Sequence, residues 1–168
     1  MNKIQNVVIT KFWGDKTVKI DFDEDVNFLV GVNGSGKTTI INLIAATLTA
    51  NFKALDSIQF GKIEVELVPK LNSKKKLENA IIKVEKIERD FSPYPKIEFS
   101  LKSYESSKFK NFNLEDLEED NFYRYQKDFL ISRSLFDQNR YSNDIGLELE
   151  KLVNVSWLSI PIPILQFG

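Results

Sequence analysis

One stretch constrains this chain more than any other: Gly31-Val32-Asn33-Gly34-Ser35-Gly36-Lys37-Thr38-Thr39. It fills every fixed position of the pattern G-x-x-x-x-G-K-[ST]. The pattern has chemical meaning only where a strand leads in and a helix leads out. Both are readable in the flanks. Residues 26–30 (VNFLV) are apolar and β-prone and predict a buried strand, and residues 38–48 (TTIINLIAATL) predict a helix running to about Ala50 or Phe52.

A polyphosphate is a dense negative charge, and this order of elements suits it. Glycines let the backbone close around the anion with its N–H groups turned inward. A helix start adds unpaired N–H groups and the positive end of the helix dipole. Within the motif, Asn33, Gly34, Ser35, Gly36, Lys37, Thr38 and Thr39 form the candidate cradle for ATP. Lys37 brings a full charge to the β- and γ-phosphates and is the candidate catalytic residue. The Thr38 hydroxyl is the candidate ligand for Mg²⁺, which takes hard oxygen donors.

Composition removes other chemistries. The chain has 168 residues, the length of one domain, with 42% hydrophobic residues and a formal net charge of −1. It is long enough to bury a real core. Its overall charge gives no electrostatic case for nucleic acid or an anionic membrane. Cysteine and histidine are both absent, which excludes disulfides, thiolate metal sites, cysteine nucleophiles and histidine-based acid–base catalysis. The first residues lack the apolar core of a signal peptide, and no apolar run reaches the ~18–20 residues of a membrane helix. A soluble, cytoplasmic protein is expected.

In chain order, residues 4–12 and 17–22 alternate as two paired strands around a turn at Trp13-Gly14-Asp15-Lys16. Asp23-Glu24-Asp25 reads as a solvated turn. Beyond the helix, residues 62–68, 80–87 and 96–101 read as an antiparallel meander. A lysine-bearing loop (Lys70, Lys74, Lys75, Lys76) and a break at Ser92-Pro93-Tyr94-Pro95 separate its strands. Phe122, Tyr123, Tyr125, Phe129, Leu130, Leu135 and Phe136 have the spacing of an amphipathic helix. Residues 143–152 suggest a short capped helix, and 153–160 a strand. The fold class expected is α/β: a P-loop NTPase lobe with an antiparallel β subdomain. Its parts are 1–52 (strands, loop and first helix), 53–104 (antiparallel insert), 105–152 (mainly helical) and 153–168 (a strand and a truncated end).

The form G-x-N-G-S-G-K-T-T, together with the opening VVITKFWGDKTVKIDFDEDVNFLVG, resembles the N-terminal lobe of ABC-type AAA ATPases of the RecF, SMC and OLD-like group. The specific resemblance covers roughly the first third. It implies binding of ATP with Mg²⁺, action in DNA repair or maintenance or in phage defence, and work as a homodimer or with a partner ATPase subunit. DNA enters as a partner by this analogy alone, and no membrane is implied. The resemblance also makes Lys11, Phe12, Trp13 and Gly14 candidates for base or ribose contacts, with a plain core or turn role open for Phe12 and Trp13. Gln166 would match the family's Mg²⁺- and water-contacting glutamine, or be an ordinary terminal amide. A Walker B strand, an L-S-G-G-x signature and a switch histidine are not found. The family places these in a C-terminal lobe, so the chain reads as an N-terminal piece that binds ATP with little turnover. A small-molecule P-loop kinase and a non-catalytic nucleotide-sensing module are the alternatives.

Overall fold

Alternation of apolar and polar residues over the first two strands, and again over the three that follow the helix, builds one sheet. In the computed structural model, residues 2–69, 78–90, 92–112, 142–153 and 155 are described, with the side chains of 92–94 and 142–144 left aside. The strands are β1 (Lys3–Phe12), β2 (Lys16–Asp21), β3 (Lys62–Val68), β4 (Ala80–Arg89), β5 (Ser92–Lys102) and β6 (Lys110–Phe112). The helices are α1 (Lys37–Leu48), α2 (Phe52–Ser57) and α3 (Ser142–Leu152). Sheet order is β2-β1-β3-β4-β5-β6, with every described pairing antiparallel. Because β1 lies between β2 and β3, the meander after the helices continues the sheet of the first hairpin.

The alternation also decides which face is covered. Val7, Ile9, Ile63, Val65, Leu67, Ala80, Ile82, Val84, Phe99 and Leu101 belong to the buried core. Helices join the same core through Leu43, Ile44, Leu48 and Leu55, and through Ile145, Leu149 and Leu152 of α3. Phe52 meets Phe99 edge-on at 6.2 Å between ring centroids, a favoured aromatic geometry. The opposite face is charged. Lys62–Glu64, Lys83–Glu85 and Lys96–Glu98 pair along their strands at 3.0–3.2 Å. Such half-buried pairs, still open to water on one side, contribute little individually.

Helix α1 is rich in β-branched residues and owes its stability to packing more than to propensity. It buries Ile40, Leu43, Ile44, Thr47 and Leu48, a spacing that keeps one stripe inward. The buried Thr47 hydroxyl donates to the Leu43 carbonyl at 2.9 Å, so no polar group is stranded. The helix stops at Leu48, short of the expected Ala50 or Phe52. Ala50 takes a left-handed conformation (φ 49°) and the Asn51 N–H returns to the Ala46 carbonyl at 2.9 Å, a Schellman-type ending. The Asn51 side chain then accepts from Ala54 N–H and starts α2.

Two further expectations are corrected. The loop expected at Ser92–Pro95 is the beginning of β5, with Ser92 paired to Arg89. Prolines are tolerated there because β6 pairs only with Phe99–Leu101, so among the described residues β5 is an edge at Pro93 and Pro95. More consequentially, residues 26–30 are not a buried strand. They join no ladder, and Val26, Phe28, Val30 and Val32 are 65%, 84%, 89% and 78% exposed. The residues are apolar enough for a strand, but no described segment lies beside them to pair. The expected helix at 143–152 is present as α3. The lysine loop 70–76, the aromatic segment 122–136 and Gln166 lie outside the described residues, as does the strand expected at 153–160 apart from Val153 and Val155, which belong to no strand.

Candidate nucleotide-phosphate site

The 31–39 segment forms a tight loop that delivers the chain into α1. Gly34 and Gly36 both have positive φ (81° and 89°), the region glycine enters without steric cost. Ser35 N–H donates to the Val32 carbonyl at 3.2 Å, closing the turn. Gly36 is the N-cap of α1, with no side chain capping the helix and no acidic residue in its first turn. The free N–H groups there therefore keep their full positive potential for a ligand.

Lys37 folds its side chain back into the loop. Its ammonium donates to the carbonyls of Gly31 at 2.7 Å and Val32 at 2.8 Å, and lies 3.4 Å from Ser35 Oγ. One full cation thus sits in the loop's concavity beside the helix N-terminus. Thr38 is exposed in the first turn and Thr39 half-buried, while Asn33, Gly34 and Ser35 form the open rim. Among the described residues there is no group of three or more Asp or Glu side chains able to hold a metal by themselves. The donor set here suits Mg²⁺ shared with phosphate: one hydroxyl, Thr38 Oγ1, with the remaining oxygens from phosphate and water.

The turn between β1 and β2 flanks this loop, and its backbone is unusual. Lys11 and Trp13 have φ of 52° and 49°, followed by Gly14 at 102°. The pairing of β1 with β2 is irregular between Ile9 and Phe12. Trp13 N–H donates to the Gln59 carbonyl at 3.3 Å and Gly61 N–H to the Thr10 carbonyl at 2.9 Å. The bulge is thereby tied to the α2–β3 connection. Lys86 secures that connection from β4. Its ammonium donates to the carbonyls of Asp56 and Ile58, both at 2.8 Å, and stands 4.9 Å from the Phe60 ring centroid. Burial pushes the Lys86 ammonium below the usual lysine range, against an opposing pull from Asp56.

These contacts separate the candidates named from sequence. Trp13 and Phe12 both reach the loop: a Cβ placed on Gly36 would stand 3.1 Å from Phe12 Cε1 and from Trp13 Cζ3 and Cη2. Lys11 lies against Gly61 instead, where an added Cβ would meet its Cδ at 2.9 Å. Sequence reasoning missed the Gln59–Gly61 and Lys86 supports. The lone Gly61 between α2 and β3 was the only available signal for them.

A glycine loop closed over a helix start, with a lysine in its mouth, is an arrangement that suits a polyphosphate. A family model described as "AAA domain" matches residues 3–159, and the chain belongs to that family. Among the solved structures that match this chain is one titled "Structural biochemistry of ATP-driven dimerization and DNA stimulated activation of SMC ATPases." It is 16% identical, with 88% of this chain and 98% of that one covered and a TM-score of 0.44. No curated protein matches this chain. Among the described residues, no helix is long and apolar enough to cross a membrane.

Proposed function

We propose that this chain binds ATP with Mg²⁺ through residues 31–39, and that hydrolysis requires further polypeptide seated on residues 26–32. The phosphate half of the proposal rests on one observation: the Lys37 ammonium lies within the loop mouth on the carbonyls of Gly31 and Val32, beside uncapped helix N–H groups. Phosphate oxygens would replace those carbonyls as its partners, and Thr38 would hold the metal. Membership of the AAA family supports a nucleotide as the ligand.

The second half rests on Val26, Phe28, Val30 and Val32. These lie in the segment that feeds the loop, and all are exposed. Covering an apolar side chain of this size stabilises by about 1.5–3 kcal/mol, and a run of exposed apolar residues marks a docking surface. Strands of a second lobe, carrying the carboxylate that orients the attacking water, would fit there. Phosphoryl transfer depends on that positioning, and no such carboxylate is identified in this sequence. The signature segment of a second subunit would complete the site. Action in DNA maintenance or phage defence, and a cytoplasmic setting, rest on the family resemblance alone.

Calorimetric titration with ATP–Mg²⁺ tests the assignment. Wild type is expected to show one saturable site and Lys37→Ala none. Equal binding by the two would overturn it.

A further inference from the structure

The base-contact role that resemblance offers Trp13 asks for a ring face turned to the ligand. The geometry at Gly36 emphasises something different. Phe12 is buried and stacks on Trp13, with ring centroids 4.8 Å apart and planes 17° from parallel. Both rings end against the backbone of Gly36, each within 3.1 Å of where a Cβ would stand. Gly34, the other positive-φ glycine of the loop, has nothing within 4 Å of its own Cβ position. The loop is therefore open at one end and wedged at the other.

The wedge is held under strain. Trp13 is left-handed, a conformation that costs a non-glycine residue on the order of 1–2 kcal/mol. It persists because the bulge is tied to Gln59 and Gly61, and because Lys86 ties that connection to β4. Three elements thus press the aromatic pair onto one glycine. Gly36 is the N-cap of α1, so its backbone angles aim the N–H groups of Lys37, Thr38 and Thr39. Fixing that one residue fixes the donors that a phosphate would meet, which is preorganisation of the kind that strengthens binding without a new contact.

We propose that Trp13, stacked on Phe12, is a positioning residue for the phosphate cradle, setting the site's affinity for the polyphosphate chain rather than selecting the base. The proposal rests on the phosphate-site reading above and assigns it a supporting residue. It accounts for glycine at 36 twice over, once by φ and once by the rings that occupy the space of a side chain.

The test titrates Mg²⁺ complexes of ATP, GTP and inorganic tripolyphosphate into wild type, Trp13→Ala, Trp13→Phe and Lys37→Ala, with thermal melts of each. If Trp13 positions the cradle, Trp13→Ala weakens all three ligands by the same factor, on the order of tenfold. Trp13→Phe, which keeps an aromatic ring beside Phe12, recovers most of that loss for all three alike. Loss confined to ATP and GTP, with tripolyphosphate unchanged, would overturn the proposal and make Trp13 a base platform. Unchanged binding of all three would also overturn it and leave Trp13 a turn residue. A variant that melts early yet binds tripolyphosphate like wild type counts against it as well. Wild-type binding that survives Lys37→Ala, or no wild-type binding of any ligand, would instead fail the phosphate-site reading itself.

Discussion

Residues 62–68 and residues 26–32 are both apolar, β-prone stretches of seven residues, and they meet opposite fates. In β3, Ile63, Val65 and Leu67 are fully buried, because β1 and β4 flank the strand and helices cover one face. In the segment leading to the glycine loop, Val26, Phe28, Val30 and Val32 stand in solvent, with no described strand beside them. Asp23 N–H donates to the Asn27 side chain and the Asn27 amide returns to the Asp23 carbonyl, so a local clasp does some of the holding that sheet neighbours do elsewhere. The lesson is physical. An apolar, β-prone pattern states what a stretch could bury, whereas burial depends on a partner that the stretch does not itself provide.

The largest expected effect breaks the comparison most directly. Phe99→Ala should lower stability by about 3–5 kcal/mol, because it opens a cavity in a packed core. Phe28→Ala should stay within about 0.5 kcal/mol, as surface changes do. Urea unfolding of both variants checks this, and a costly Phe28→Ala would show the segment to be covered. Next in size are the two glycines of the loop. Gly36→Ala meets both positive φ and two rings and should cost about 2–3 kcal/mol. Gly34→Ala meets positive φ alone and should cost about 1–2 kcal/mol, measured in the same way. Equal costs would remove the distinction between a wedged and an open end.

Asn51→Ala should cost about 1 kcal/mol by removing the N-cap of α2, a check that the covered half behaves as an ordinary packed domain. The smallest effect appears only in alkali. Burial pushes the Tyr104 hydroxyl up to about 12 from its ordinary value near 10. The unfolded chain therefore loses this proton first. The contribution is intact below pH ~10 and is lost as pH rises toward about 12. Tyr104→Phe should flatten the stability profile across that window and leave neutral pH nearly unchanged, read by thermal melts at stepped pH.

Much of this was legible beforehand, for identifiable reasons. The strand at 62–68 and the glycine loop were readable because their determinants are local: period-2 alternation, and glycines at fixed spacing before a lysine. The helix at 143–152 was readable from its apolar spacing, although it begins at Ser142 and so takes in Asn143 and Asp144, the residues expected to cap it. Residues 26–30 misled because an apolar, β-prone pattern does not supply a neighbour, and no described strand pairs with them. The support at Trp13 was illegible for a different reason. It depends on Gln59, Gly61 and Lys86, which are brought to residue 13 only by the pairing of β1 with β3 and of β3 with β4. The left-handed backbone at Lys11 and Trp13 had no sequence signal either, since neither residue type favours it.

The most direct test follows ATP–Mg²⁺ binding and phosphate release side by side, for the wild-type chain and Lys37→Ala. The site described here predicts saturable binding by wild type, with phosphate released no faster than by Lys37→Ala. Sustained release by the isolated wild-type chain, abolished in Lys37→Ala, would contradict it and show that everything needed to cleave the γ-phosphate is already present.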